Sequence, residues 1–372
     1  MLGQLATRSV RMEFEGIPLL IENVPLRKLC NWFATGLATY VKPENTWGWP
    51  LQLQIEPTNR CNLQCPLCPG TDNLNRPKGN MDPGLFRKVI DEIGDKLFIL
   101  YLWNWGEPFL NPAIYEMIAY ARGKGIRVVT DTNGHLFGER ETADKLIQSG
   151  LDILSFSVDG ITQKSYEAYR RGGDLETVLQ GIRLIVARKR ALKSQTPFLA
   201  LRFMVMRHNE HEIPQLQAFS RALGVDALVI KKMNPAFRVP YGEKGPNGPE
   251  EAFLPKDSRY RRFAYDPASQ AALKVRRNPC RNLWSSATIN WDGMVSPCCC
   301  DPDGKYSLGN SNETAFRSIW RGAAYCRMRS NFRSDWQQIP ICRECTNAYQ
   351  GGEMGSAMFP ELFLLNNDRG SS

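Results

Sequence analysis

Three cysteines in the first part of the chain have the spacing of a metal site. Cys61, Cys65 and Cys68 form a C-x3-C-x2-C motif in a short loop after the apolar segment 51–55. Three thiolates suit a 4Fe-4S cluster whose fourth iron is left open, because cysteine is the usual protein ligand of iron-sulfur clusters. A structural zinc ion would need a fourth cysteine or histidine nearby, and none follows before His135. A disulfide would leave one of the three cysteines over.

A second set of cysteines lies near the end of the chain. Its members are Cys280, Cys298, Cys299, Cys300, Cys326, Cys342 and Cys345. A C-x2-C pair after two distant cysteines is typical of a zinc ribbon, and it can also complete a four-thiolate site. Asp292-Gly293 predicts a hairpin turn that places Cys298 on the returning strand.

A regular alternation of strands and helices must position the first motif. Apolar runs predict strands over residues 51–55, 97–103, 126–131, 152–158, 198–206 and 227–231. Helical patterns lie between them, one of which begins with Asp82 as its cap and Pro83 in its first turn. Six such units predict an α/β fold with a parallel sheet curled into a barrel, whose active site lies at the carboxyl ends of the strands.

Polar motifs follow three of these predicted strands. Gly106-Glu107-Pro108 comes after the second strand, Thr132-Asn133-Gly134 after the third and Ser157-Val158-Asp159-Gly160 after the fourth. Each motif alone is also an ordinary turn signal, but their shared position at strand ends favours one site. The Glu107 carboxylate can accept hydrogen bonds from an ammonium group.

Three further side chains in the barrel region are candidates. Arg170 either pairs with a ligand carboxylate, which a guanidinium binds as a planar fork, or lies at a solvated helix end. Arg202 lies inside an apolar strand, so we expect it to reach a polar partner at a strand end, because an unpaired buried charge is costly. His135, just after the Thr-Asn-Gly motif, is a candidate substrate contact.

Taken together, the motifs of residues 51–231 resemble the radical S-adenosylmethionine (SAM) superfamily. The resemblance implies a partial (β/α)6 TIM-type barrel in which Cys61, Cys65 and Cys68 bind a 4Fe-4S cluster and SAM chelates the open iron. It implies reductive cleavage of SAM to a 5'-deoxyadenosyl radical, which abstracts hydrogen from a substrate C-H. The SAM contacts that it implies are Gly106, Glu107, Pro108, Thr132, Asn133, Ser157, Asp159 and Arg170. The match to the family's GGEP-type motif is partial, because Trp105 stands where a glycine is often found.

The C-terminal cysteines resemble the SPASM extension of radical SAM enzymes. The shared features are Cys280, Asp292-Gly293-Met-Val-Ser-Pro-Cys298, Leu308-Gly-Asn, Ile319-Trp320 and the final C-x2-C pair. Because no cysteine follows Cys345, the segment is closest to the single-cluster twitch form. The resemblance implies an auxiliary 4Fe-4S cluster on Cys280, Cys298, Cys342 and Cys345. Cys299 and Cys300 are expected to be packing thiols, or else one donates a hydrogen atom or replaces a ligand.

Five segments are predicted along the chain. They are an N-terminal hairpin and amphipathic helix (1–50), the barrel (51–233), a linker or mobile loop (234–277), the auxiliary-cluster domain (278–348) and a C-terminal tail (349–372). The helix carries Leu26, Leu29, Cys30, Phe33, Leu37, Tyr40 and Val41 at helical spacing. We expect this apolar face to dock on the catalytic domain with Cys30 buried. The alternative is a basic amphipathic helix on a membrane surface.

Composition limits the class of protein without identifying a substrate. Eleven cysteines, with neither a signal peptide nor an apolar run long enough to span a membrane, predict a reducing cytoplasm and metal rather than disulfides. The net charge of +9 does not decide between an anionic substrate, an acidic reductase partner and a soluble surface. We expect no nucleic-acid partner.

The predicted activity is that of a radical SAM oxidoreductase or maturase, reduced by a flavodoxin- or ferredoxin-type protein. A small polar metabolite, such as a sugar or aminocyclitol, would be dehydrogenated or epimerised. A ribosomally made peptide is the alternative substrate. A non-catalytic metal-binding protein is a third hypothesis, but it leaves Glu107 and Asn133 unexplained. The catalytic residues themselves are unknown at this stage.

Overall fold

A computed structural model of the chain describes residues 7–70, 74–234, 249–266, 268, 272–352 and 361–365. The chain forms two compact units that are each discontinuous in sequence. The first unit contains Met1–Arg60, Leu74–Val129 and Arg277–Cys345, and the second contains Cys61–Asn73, Thr130–Arg276 and Thr346–Ser372.

The described strands and helices alternate through the central part of the chain. Strands β1 to β12 are Val10–Phe14, Ile17–Ile21, Gln52–Ile55, Ile99–Tyr101, Arg127–Thr132, Ile153–Ser157, Phe198–Val205, Ala227–Lys232, Ser286–Ile289, Met294–Ser296, Gly309–Asn310 and Glu361–Leu364. Helices α1 to α11 are Leu26–Val41, Pro83–Ile93, Ile114–Gly123, Arg140–Gln148, Gln163–Tyr169, Leu175–Ala191, Ile213–Leu223, Asn282–Ser285, Phe316–Trp320, Ala323–Asp335 and Pro340–Arg343.

The first unit contains a mixed sheet. Its strand order is β11-β10-β9-β3-β4 and then the first half of β5, with β9, β3, β4 and β5 parallel and β10 and β11 antiparallel to their neighbours. Helix α2 begins as predicted, because the Asp82 side chain accepts a hydrogen bond from the Leu85 N-H at 3.0 Å and Pro83 takes the first helical position.

The second unit contains strands β6, β7 and β8 in parallel, and β12 pairs antiparallel with β8. All five residues of β6 are buried, including its two serines, as is usual for a parallel strand covered on both faces. The apolar residues of helix α6 from Leu175 to Val186 are likewise buried. All six predicted barrel strands are therefore present, and the second is shorter than expected, at Ile99–Tyr101.

Helix α1 does not dock through its apolar face, contrary to what the sequence predicted. The helix forms over the predicted residues, but the face that it buries is mostly polar and includes Lys28, Asn31 and Thr35, whereas Leu26 and Leu37 are exposed. Cys30 is exposed too, so the prediction of a buried thiol was wrong. The polar face can be buried because its side chains bond to backbone carbonyls.

Parts of the predicted segments fall outside the described residues. These parts are residues 1–6 of the N-terminal segment, 235–248, 267 and 269–271 of the linker or mobile loop, and 353–360 and 366–372 of the C-terminal tail. None of the helices that the structure describes combines the length and apolarity needed to cross a membrane.

Candidate iron-sulfur and cofactor site

The loop of the first cysteine motif lies in an apolar environment of the second unit. Cys65 is buried together with Leu63 and Leu67, and Cys61 and Cys68 pack against the same cluster. Methionines on strand β7 and after strands β7 and β8 complete this cluster; they are Met204, Met206 and Met233. Burial raises the pKa of the Cys65 thiol to about 11. A thiolate at this position therefore needs compensating positive charge, which Arg170 supplies in part and a bound iron would supply further.

Arg170 lies beside this loop and not at a solvated helix end. Its Nε and a terminal nitrogen approach Asp159 Oδ2 at 2.7 and 2.5 Å, and its other terminal nitrogen lies 3.9 Å from Cys65 Sγ. Asp159 Oδ1 accepts a hydrogen bond from the Met204 N-H at 2.8 Å. Both carboxylate oxygens of Asp159 are thus engaged, and they orient the guanidinium toward the cysteine loop.

Asn133 reaches the same loop from the end of strand β5. Its Nδ2 lies 3.9 Å from Cys61 Sγ and donates a hydrogen bond to Asn62 Oδ1 at 2.8 Å. Its Oδ1 accepts from the His135 backbone N-H at 3.1 Å and lies 3.1 Å from His135 Nδ1. Because His135 Nε2 accepts from the Asp174 N-H at 3.0 Å, the ring proton is on Nδ1 and is donated to Asn133.

His135 therefore acts on the site by holding Asn133. Burial lowers the pKa of the ring, which agrees with a neutral imidazole whose two nitrogens are both engaged within the protein. The sequence predicted this residue as a substrate contact. Both ring nitrogens bond within the protein, so only the ring carbons are available to contact a substrate.

A polar and charged group joins the carboxyl ends of strands β5 and β6 to the middle of strand β7, and the sequence predicted only part of it. Arg202 forms an ion pair with Asp131 and donates a hydrogen bond to Ser157 Oγ at 2.5 Å. Ser157 Oγ lies 3.1 Å from Asp131 Oδ1, to which it donates. The expectation that Arg202 reaches a strand-end partner is confirmed. The sequence did not indicate Asp131. An acidic residue near the end of one strand can pair with an arginine that is buried in a neighbouring strand, and this pattern could have identified it.

Thr132 shapes the turn that carries Asn133. Its Oγ1 accepts a hydrogen bond from the Gly134 N-H at 3.0 Å, and Gly134 adopts a positive φ of 86°. The Thr-Asn-Gly motif is thus explained locally by a turn that only glycine closes without strain. The side chain of Asn133 is left to point at the cysteine loop.

Gly106-Glu107-Pro108, in the first unit, is fixed against the segment that precedes Cys61. A Cβ atom on Gly106 would lie 2.3 Å from the Thr58 carbonyl oxygen, so no other residue fits there. The Glu107 N-H donates to the Arg60 carbonyl at 2.8 Å, and its Oε1 accepts from the Phe109 N-H at 3.3 Å. The buried Glu107 carboxylate thereby caps the short 3-10 helix Pro108–Leu110.

The four predicted auxiliary ligands lie near one another within the first unit. Burial raises the pKa of Cys342, and the charges of Cys298, Cys280 and Cys345 raise it further, so all four thiols are within electrostatic reach. The predicted hairpin is present, because strands β9 and β10 pair antiparallel around Gly293, whose φ is 83°. Cys298 differs slightly from expectation, since it lies two residues after the end of β10 and not on the strand.

Neighbouring side chains complete this second site. Cys300 is buried, and its hydrogen bonds with Cys298 and Cys299 hold its pKa well above the usual value. Arg329, which the sequence did not indicate, is fully buried between the rings of Trp320 and Tyr325, at 4.5 and 4.6 Å. Its guanidinium donates to three backbone carbonyls and, among the described residues, pairs with no carboxylate. The Tyr325 side chain lies within electrostatic range of both Arg329 and Cys298, so one aromatic side chain links the buried cation to a predicted ligand.

Cysteine thiolates, the donors at both candidate sites, are the usual protein ligands of iron-sulfur clusters. Within the part of the chain that the structure describes, no three histidine, cysteine or acidic side chains are placed to bind one metal ion. A 4Fe-4S cluster binds each thiolate through a different iron and therefore spreads its ligands over a larger volume.

Comparison with known proteins identifies both parts of the chain. A model of the radical SAM superfamily matches residues 55–219, and a model of the iron-sulfur cluster-binding SPASM domain matches residues 280–346. The cofactor-modifying protein of tungsten-containing aldehyde ferredoxin oxidoreductase from Pyrococcus furiosus is 25% identical over 313 residues, which is 79% of this chain and 86% of that protein. The PqqA peptide cyclase of Gluconobacter oxydans is 27% identical over 316 residues, or 80% of this chain and 82% of that one.

A solved structure supports the same fold. The crystal structure of Streptococcus suis SuiB bound to its precursor peptide SuiA superposes with a TM-score of 0.59 and 14% identity, over 91% of this chain and 81% of that chain. The cofactors of these two domains are 4Fe-4S clusters and SAM. The chain therefore contains a radical SAM domain at residues 55–219 followed by an iron-sulfur cluster-binding SPASM domain at residues 280–346, in an α/β fold whose central strands are mostly parallel.

Proposed function

We propose that this enzyme oxidises or epimerises a small polar substrate by hydrogen abstraction, with Cys61, Cys65 and Cys68 as ligands of the SAM-binding cluster. A 4Fe-4S cluster held by these three cysteines, with SAM, would supply the one-electron reduction that generates a hydrogen-abstracting radical, and a cluster at the auxiliary cysteines would supply an acceptor for a second electron. The auxiliary ligands in this proposal are Cys280, Cys298, Cys342 and Cys345, with one cluster held by residues 278–348.

The observation that carries the substrate class is the group formed by Asp131, Ser157 and Arg202. The register of β6 and β7 places Ser157 directly opposite Arg202. The Arg202 and Asp131 side chains are only 11% and 16% exposed. A largely buried ion pair is weak support for stability alone, so its position at the carboxyl ends of strands favours a role in binding. A hydroxyl or amino group of a sugar or aminocyclitol can hydrogen-bond to all three side chains.

Other residues of the proposed SAM site act by orientation. We assign Arg170 to the SAM carboxylate, with Asp159 holding its guanidinium, because Arg binds carboxylates through a planar fork. Asn133, fixed by His135, lies against Cys61. The contacts of Gly106, Glu107, Pro108, Thr132 and Ser157 with SAM stay predictions from the family resemblance. A flavodoxin- or ferredoxin-type reductant and a cytoplasmic location belong to the same proposal.

A ribosomally made peptide is the second candidate substrate. The similarity to a PqqA peptide cyclase over 80% of the chain favours it. The two candidates make different demands on the substrate pocket, because a peptide is held mainly along its backbone and a sugar by its hydroxyl groups.

The test is SAM cleavage by anaerobically reconstituted enzyme with deuterated sugars, aminocyclitols or synthetic peptides. Deuterium transfer into 5'-deoxyadenosine from a sugar or aminocyclitol supports the first candidate, and transfer from a peptide alone replaces it with the second. We expect Asp131→Asn and Arg202→Gln to lose substrate-dependent transfer while retaining slow uncoupled SAM cleavage. If these variants keep their iron but no longer cleave SAM even without substrate, the two residues would instead contribute to SAM binding.

A further inference from the structure

We propose that the outward face of helix α1, together with the basic residues at its C-terminal end, binds the surface of an anionic lipid bilayer. An ordinary amphipathic helix packs its apolar face against the protein, whereas α1 packs a mostly polar face against it. Leu26, Leu37, Tyr40 and Val41 are exposed, whereas the buried residues are mostly polar, with Leu29 and Ala38 as the exceptions. Large apolar residues on the outer face are expected when the medium outside the helix is apolar.

The inward face of α1 is held by polar contacts with the first unit. Lys28 Nζ donates to the Gly125 carbonyl at 3.1 Å, and Thr35 Oγ1 donates to the Trp49 carbonyl at 2.8 Å. The Asn31 side chain bonds to both the N-H and the carbonyl of Trp49. Burial lowers the pKa of Lys28 to about 8. These bonds orient the helix, so its outward face is set by the fold.

The exposed residues of the helix are mostly apolar, and Arg27 is the charged member of the set. Leu26, Leu37, Tyr40 and Val41, with Trp47 just after the helix, are 48% to 73% exposed. Among the described residues only Leu20, Leu192 and Leu364 are other large apolar side chains of comparable exposure. A contiguous patch of this kind marks an interaction surface, whereas isolated exposed leucines need no explanation.

Charge favours a lipid surface as the occupant. No acidic residue occurs between Pro25 and Pro43. At the C-terminal end of the helix, the Arg281 guanidinium lies 4.8 Å from the centre of the Tyr40 ring. Arg277 and Arg281 are both close enough to lower the pKa of Lys42, although burial is the larger cause. A basic cluster beside an apolar stripe, with Tyr and Trp at the edge of that stripe, is typical of helices that lie in the interface of anionic membranes.

The proposal is tested by co-sedimentation of the reconstituted full chain with vesicles. Vesicles of phosphatidylcholine alone are compared with vesicles that also contain phosphatidylglycerol. We expect binding to the anionic vesicles that weakens at high salt. The Leu37→Glu/Val41→Glu double variant should bind at least about tenfold more weakly, and Arg281→Glu should bind about fivefold or more weakly. Leu192→Glu, a matched change at an exposed leucine elsewhere, should bind like the wild type.

Folding is checked by iron content and circular dichroism, because α1 also packs on the first unit. A folded wild-type chain that binds neither vesicle type overturns the proposal. Equal loss of binding in Leu192→Glu and in the α1 variants also overturns it. If light scattering shows a dimer that Leu37→Glu/Val41→Glu abolishes, and vesicles do not bind, the face is an interface between two copies and the lipid proposal is wrong.

Discussion

Arg170 and Asp159 form a buried ion pair at the cysteine loop, with the guanidinium 2.5 Å from Asp159 Oδ2 and 3.9 Å from Cys65 Sγ. The pair connects the Ser-x-Asp-Gly motif to the proposed cluster ligands through one side chain. Gly160 permits this arrangement, because a Cβ atom there would lie 2.3 Å from the Tyr166 nitrogen, on the helix that ends immediately before Arg170.

Replacing Asp159 with alanine should strongly destabilise the protein. The change leaves the Arg170 charge buried without its partner, which typically costs about 3–5 kcal/mol. The free energy of unfolding of the apoprotein in urea measures this loss. Asp257→Ala, which breaks the surface pair with Arg259, is the control and should have a much smaller effect. Similar losses of unfolding free energy in both variants would mean that the Arg170 guanidinium becomes hydrated when Asp159 is absent.

Iron content should report two separate clusters. We expect about eight irons per chain after anaerobic reconstitution and about four in a variant with Cys61, Cys65 and Cys68 changed to alanine. A variant with Cys280, Cys298, Cys342 and Cys345 replaced should also retain about four. About four irons in both the wild type and the first variant would refute the assignment of a cluster to the C-x3-C-x2-C loop.

Asn133 should raise the reduction potential of the SAM-binding cluster. Its Nδ2 is near Cys61 Sγ, and a hydrogen bond to a thiolate stabilises the more negative reduced state. Asn133→Ala should lower the potential by about 40 mV, which corresponds to about 1 kcal/mol for one electron. An EPR-monitored titration without SAM measures this shift. Asn312→Ala, at an exposed position in the other unit, should leave the potential unchanged.

His135 should make stability depend on pH between about 5 and 7. Burial lowers its pKa in the folded state below the usual value near 6.5, so the unfolded state binds more protons in this range. Stability is therefore complete above the unfolded pKa and falls as the pH drops below it. His208 has a pKa lowered for the same reason and contributes in parallel. The free energy of unfolding in urea is measured from pH 5.5 to 7.5. Its slope against pH should correspond to up to about one proton fewer in His135→Gln than in the wild type. An unchanged slope would contradict the assignment of a neutral ring.

Arg329 should tune the auxiliary cluster. Burial lowers its pKa to about 10, which still leaves the side chain charged near neutral pH. Tyr325 links Arg329 to the predicted ligand Cys298. Removing the charge in Arg329→Met should therefore lower the potential of the auxiliary cluster on the order of 50 mV, because a buried cation beyond that ring favours the reduced state. Arg321→Met, at an exposed position, is the control. An unchanged potential in Arg329→Met at full iron content would show that the arginine serves packing alone.

The motifs that carry chemistry were predictable because they are local. Three cysteines within one loop, an Asn-Gly turn after a strand and an Asp-Gly hairpin before Cys298 each combine a backbone requirement with a reactive side chain. Their spacing is therefore readable along the chain. The cost of a buried charge also predicted that Arg202 has a strand-end partner, although its identity as Asp131 depended on which strands lie side by side.

The sequence by itself determined the spacing of the cysteines, the six strands predicted for the barrel and the amphipathic nature of helix α1. Only the tertiary structure decided which face of α1 is buried, that His135 holds Asn133, and that Arg329 is enclosed by aromatic rings. The physical reason is that periodicity shows that two faces of a helix differ, but not which one the protein covers. Polar side chains can be buried wherever the fold supplies backbone carbonyls to accept their hydrogen bonds.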